Sequence, residues 1–252
     1  MIKGLYSAVS AMVMNANRQQ ILSHNVANMD VPGFKQVMAT VSKYIDTQAV
    51  NPMSSLNLGE NADELGLLGL GVFSGEDEID FSQGSLITTE NDCDLAIQGT
   101  AFFHVKTPDG DRYTRDGRFI LDEAGNLVTT EGYQVLNSSN QPIKLDAGEF
   151  EVTSAGELFV DGQSVGKIGL VEFEDPAADL EHEEGNLYSA NGTGKAAVNS
   201  SVAQGALENS NVNAAQLMAQ MIEVNRAYEA AQEMVSNQDE LLGKTISSLG
   251  RY

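Results

Sequence analysis

The chain has 252 residues, enough to bury a sizeable core in one or two domains, and 36 Asp and Glu against 14 Lys and Arg give it a formal charge of −22. Residues 1–35 hold a net +2 and residues 206–252 a net −3, which leaves −21 for the segment between them. A surface that acidic repels nucleic acid and anionic membrane, and the single cysteine, Cys93, excludes an internal disulfide.

In chain order, Ile2, Leu5, Val9, Met12 and Ala16 repeat at three- and four-residue steps, with Leu22 and Val26 one turn round, which predicts an amphipathic helix. Lys3 and the apolar run to Met14 loosely imitate a secretory signal, but the periodicity continues past any cleavage point, so no cleaved leader is expected. Pro32-Gly33 must end this helix, because proline cannot continue one and disfavours helical geometry at Val31. Residues 36–70 carry mixed signals, with short apolar pieces around NPMSSLNLGENADE, and are expected to be a linker. No apolar run approaches the length of a membrane span.

From 71 to 205 the pattern becomes short alternating runs punctuated by turns. Pro108-Asp109-Gly110 and Glu123-Ala124-Gly125-Asn126 supply hairpin turn chemistry, with Phe103, Val105, Phe119, Leu121, Leu127 and Val135 facing inward. Strands without intervening helices predict a compact, mostly antiparallel β domain. Cys93 is expected to be a small buried hydrophobe, and DPAADLEHEEGNLYSANGTGKA a polar loop.

The last stretch, 206–252, is one long helix. Steps of four and three from Leu217 meet Met221, Val224, Tyr228, Ala231, Val235, Gln238, Leu242, Thr245 and Leu249, a coiled-coil seam, with Asn211 or Asn213 placed to cap its start. A helix that long needs a partner, and the helix of 1–35 is the candidate. The fold class is therefore α+β: N- and C-terminal helices paired as a coiled-coil-like domain, with a central β domain. The plainer alternative lays each helix separately on a globular core.

His24, His104 and His182 share no ligand spacing, no nucleophile, P-loop or zinc motif occurs, and the carboxylates sit beside turn glycines where solvation is their ordinary fate. No catalytic, cofactor-binding or metal-binding residue is assigned. The competing classes are an extracellular calcium- or glycan-binding β module with helical flanks, and a hydrolase using the carboxylates from Asp109 to Asp116.

Three blocks, GLYSAVSAM…ILSHNVANMDVPGFK, FSQGSLITTENDCDLAIQGTAFFHVKTPDGDRYTRDGRFILDEAGNLVTTEGYQVL and ENSNVN…MIEVNRAYEAAQEMVSNQDELL, lie in an order that resembles the bacterial flagellar basal-body rod protein family, of the FlgF/FlgG type, related to the hook protein. The resemblance implies a non-enzymatic structural subunit, exported through the flagellar type III export apparatus and built into the rod of the basal body in the cell envelope. Its implied partners are copies of itself and other rod and hook-type axial proteins, with no nucleic acid and no direct membrane insertion. Leu5, Val9, Met12, Leu217, Val224, Tyr228 and Leu242 are expected to carry subunit packing, and Asn25, Asn28, Pro32, Gly33 and Asn211 to shape the helix ends. Val31 and Ala101 depart from the threonine and glycine that many members carry at those places.

Overall fold

A computed structural model of the chain describes residues 2–43, 47–48, 67–68, 71–145, 150–183, 185–192, 194–198 and 200–249. Much of the expected 36–70 linker lies outside these residues. The chain forms two compact units: one from 1–24, 37–78 and 214–252, the other from 25–36 and 79–213.

The helical unit contains the helix Ile2–Ala27 up to residue 24, the helix Ala214–Leu249 and the ribbon Val41–Lys43 paired antiparallel with Val72–Ser74. At 1.5 Å per residue the 36-residue C-terminal helix is about 54 Å long. Its exposure pattern follows the heptad: Leu217, Val224 and Ala231 are buried, and Met221, Tyr228, Val235, Gln238, Leu242 and Thr245 are half-buried. Between Leu217 and Ser248 every other residue except Gln220 is exposed.

The N-terminal helix departs from its expected face. Val9 and Ala16 are exposed, whereas Ala8, Met14, Ile21 and Asn25 are buried and Leu5 and Met12 lie half-buried. The reason is polar. The ribbon covers one side of this helix through the Ser10 hydroxyl, which accepts the Val72 N–H at 3.3 Å, and the Asn17 amide, which donates to Ser74 Oγ at 2.7 Å. An apolar stripe cannot reveal a side that is sealed by hydroxyls and amides.

The other unit is built on a nine-stranded antiparallel sheet. Its main path runs Phe119–Leu121, Leu127–Thr129, Gln134–Val135, Phe102–Thr107, Gly110–Thr114, Leu187–Ala190, Leu180–Glu183, with Leu170–Glu172 joining Phe102–Thr107 to Lys195–Ala196. Alternation along Phe102–Thr107 sends Phe103 and Val105 into a core with Phe119, Leu127, Val135 and Leu158. Leu121 packs against that core from a half-buried position. On the opposite face Phe102 joins Phe173, Leu180 and Tyr188, with edge-to-face ring contacts at 5.6–6.0 Å to Phe81, Phe173 and Tyr188.

Two expectations fail within this unit. The segment read as a polar loop contains the hairpin of Leu180–Glu183 and Leu187–Ala190, because Leu180, Leu187 and Tyr188 bury while their charged neighbours face water. Cys93 is half-buried rather than buried, packing against the sheet core at the turn before Leu95–Gln98, and burial together with Asp94 and Asp92 holds its thiol above the usual range.

Candidate functional site

Where the N-terminal helix ends, Asn28 and Val31 carbonyls accept the N–H groups of Val31 and Phe34, turning the chain through Pro32-Gly33. Gly33 has a φ of +71°, and a Cβ there would lie 2.4 Å from the Arg115 carbonyl carbon and 2.6 Å from the Asp116 nitrogen. Only glycine permits so close a backbone approach. The Gly33 N–H then donates to the Glu208 carbonyl at 2.7 Å, so a residue near the start of the chain is pinned to one near its end.

Around that crossing lies a buried charge cluster. Lys35 Nζ donates to Glu208 Oε1 at 2.6 Å and to the Ser82 carbonyl at 2.8 Å; Arg115 Nη1 donates to Glu208 Oε2 at 3.2 Å, and Nη2 to the Gly99 carbonyl at 2.7 Å. The Gly84 N–H adds a further bond to Glu208 Oε1 at 2.9 Å. None of the three charged side chains is more than 2% exposed. The Arg115 guanidinium also lies 4.8 Å from the centroid of the Phe102 ring, which ties the cluster to the aromatic face of the sheet.

Two cations on one carboxylate leave an excess positive charge in a dry site. Burial lowers the pKa of Lys35 and of Arg115, and Glu208 opposes the shift in both. Tyr188, fully buried beside them, has its phenol pushed well above its ordinary value by the same desolvation. Removing one partner from such a group strands a buried charge, at a cost of about 3–5 kcal/mol.

Asn211, one of the two asparagines placed to cap the C-terminal helix, uses its side-chain amide to bond Gln36, Asp80 and Ser82. Its Oδ1 accepts the Gln36 N–H at 2.8 Å, and its Nδ2 donates to the Asp80 carbonyl at 2.8 Å and to Ser82 Oγ at 3.1 Å, so it ties chain segments together. The Pro32 carbonyl accepts from Asn186 Nδ2 at 3.1 Å. Pro32, Gly33 and Asn211 are thus drawn into one region around Glu208, and Asn25 is buried and Asn28 sits in the turn. Lys35, Arg115 and Glu208 were not singled out from the sequence, because charged residues are read as solvated by default; their one signal was position, within the PGFK, DRYTRDGRF and ENSNVN stretches of the three blocks.

The residues expected to pack subunits divide by exposure. Leu217 and Val224 are buried within the helical unit; Leu5, Met12, Tyr228 and Leu242 are half-buried; Val9 is exposed. Beside Val9 stand Tyr6 and Val13, 67% and 66% exposed, and the C-terminal helix exposes Met218, Ile222, Met234, Leu241 and Ile246. Of the fifteen large apolar side chains left exposed among the described residues, eleven belong to the helical unit and four to the β unit. Among the described residues no group of three His, Cys, Asp or Glu is placed to hold a metal ion, and no helix is long and apolar enough to cross a membrane.

Comparison with known proteins finds three family models along the chain. Residues 5–35 match the flagella basal body rod protein model, residues 96–160 the flagellar hook protein FlgE/F/G D1 domain, and residues 203–249 the C-terminal model of flagellar basal body rod FlgEFG proteins. The flagellar basal-body rod protein FlgF of Rhizobium meliloti (strain 1021) is 31% identical over 251 residues, covering 98% of each chain. The flagellar hook-basal body complex protein FlhO of Bacillus subtilis (strain 168) is 31% identical over the whole of both chains. FlgG of the same organism, a flagellar basal-body rod protein, is 31% identical over 98% of this chain and 99% of its own.

Proposed function

Since this chain belongs to the flagellar basal-body rod protein family, we propose that it polymerises into the rod through its two terminal helices, which pair with one another along the C-terminal heptad seam. It is a structural subunit of the flagellar basal body and assembles with other flagellar axial proteins. Pairing of the helices is supported by the shielding of the nine seam positions from Leu217 to Thr245, and by Gly4, whose Cβ position lies 3.5 Å from the Gln238 amide nitrogen. Export through the flagellar type III apparatus without a cleaved leader belongs to the same reading.

One observation carries polymerisation through the helices: the concentration of exposed large apolar side chains on the helical unit. Full burial of each such side chain contributes about 1.5–3 kcal/mol, so a few of them buried against neighbours supply an interface. The acidic β unit keeps its charged surface in water. Cells carrying Val9→Asp or Ile222→Asp should lose motility and yield basal bodies with incomplete rods in electron micrographs, whereas Val198→Asp, at a site 86% exposed on the β unit, should leave both intact. Normal rods from both helix variants would refute assembly through these helices.

A further inference from the structure

We propose that Lys35, Arg115 and Glu208 form a single lock that orders both chain ends at once, so that residues 25–36 and 206–213 open and close as one cooperative element, separately from the sheet core. The first segment holds the end of the N-terminal helix and the turn after it, the second leads into the C-terminal helix, and both belong to the β unit.

Glu208 serves both segments simultaneously. Its carbonyl takes the Gly33 N–H and its carboxylate takes Lys35, while the strand Ala206–Glu208 pairs with Leu86–Thr88. Asn211 closes the same crossing from the other end through Gln36. If residues 33–36 withdraw, Glu208 loses the Gly33 N–H from its carbonyl and the Lys35 ammonium from its carboxylate, and Asn211 loses the Gln36 N–H; if residues 206–211 withdraw, two buried cations lose the carboxylate they share. Neither segment can therefore leave without loss to the other: departure of the first takes a charged hydrogen bond from buried Glu208, and departure of the second strands two cations, the costlier of the two. The main sheet core around Phe103, Leu127 and Val135 has no charged member and needs neither segment for its own pairing.

Amide hydrogen exchange on the full chain tests the coupling. In low concentrations of denaturant, the amides of 28–36 and of 206–211 should exchange through one shared opening, with the same denaturant dependence, while those of 102–106 and 127–129 remain protected. Glu208→Gln should accelerate exchange in both segments together by roughly a hundredfold or more, the scale of stranding a buried charge. A Lys35→Met, Arg115→Met, Glu208→Leu triple variant, which leaves no stranded charge, should restore much of the protection. Opening of one segment without the other, or exchange of both only with the sheet core, would overturn the proposal, and the unsubstituted chain alone decides between these outcomes.

Discussion

Replacing Gly33 by alanine tests the close crossing of the chain ends. Two costs add at this position. The left-handed backbone, at φ +71°, penalises an L side chain by about 1–2 kcal/mol. The new Cβ then meets three main-chain atoms of Arg115 and Asp116 at 2.4–2.6 Å, and unlike a flexible side chain these cannot swing away. Relief requires the Arg115 backbone to shift, which pulls its guanidinium from Glu208, and overpacking of this kind costs about 1–3 kcal/mol. The sum, about 2–5 kcal/mol, is a large part of the stability of an ordinary domain. Gly132 is the internal control, with φ +91° and no atom within 4 Å of its Cβ position, so Gly132→Ala should suffer the backbone cost alone. With no tryptophan in the chain, urea unfolding followed by circular dichroism is the suitable assay. Equal destabilisation by the two substitutions would refute the crowding argument.

Two further outcomes follow from the same geometry. A fragment of residues 71–205 retains Arg115 but lacks Lys35 and Glu208, so it should be less stable than a fragment of 25–213 by about 3 kcal/mol or more in urea unfolding; equal midpoints would show that the lock is dispensable. Burial holds the His104 imidazole below its ordinary 6.5 against the opposing pull of Asp111, 3.6 Å away, with Tyr113 stacked on its ring. Between that lowered pKa and 6.5 the unfolded chain binds more protons, so the stability this histidine contributes is complete above 6.5 and is lost as the pH falls through the window. His104→Gln should flatten that part of the stability profile, and an unchanged slope would dismiss the assignment.

Periodicity carried what depends on apolar side chains. The steps from Leu217 to Thr245 coincide with the shielded positions of the C-terminal helix, and Phe103, Val105, Phe119, Leu127 and Val135 face the sheet core because strand alternation leaves them no other choice. The remainder depended on polar groups whose partners are remote in sequence. Ser10 and Asn17 decide which side of the first helix is covered, and the bonds they make reach Val72 and Ser74. The lock joins residues 35, 115 and 208, and nothing local to any of them announces that a charge will be buried. The hairpin at 180–190 was hidden for a related reason: its acidic residues dominate the composition, yet Leu180, Leu187 and Tyr188 set its fate.

The claim that the terminal helices build the polymer is tested most directly by photo-crosslinking in assembled basal bodies. A photoreactive side chain at Tyr6, Val13 or Ile222, all exposed on the helical unit, should capture a second copy of this chain or another axial protein in intact rods and capture nothing in the purified monomer. Intact rods in which none of these positions forms an intermolecular crosslink, while positions on the β unit do, would contradict assembly through the helices.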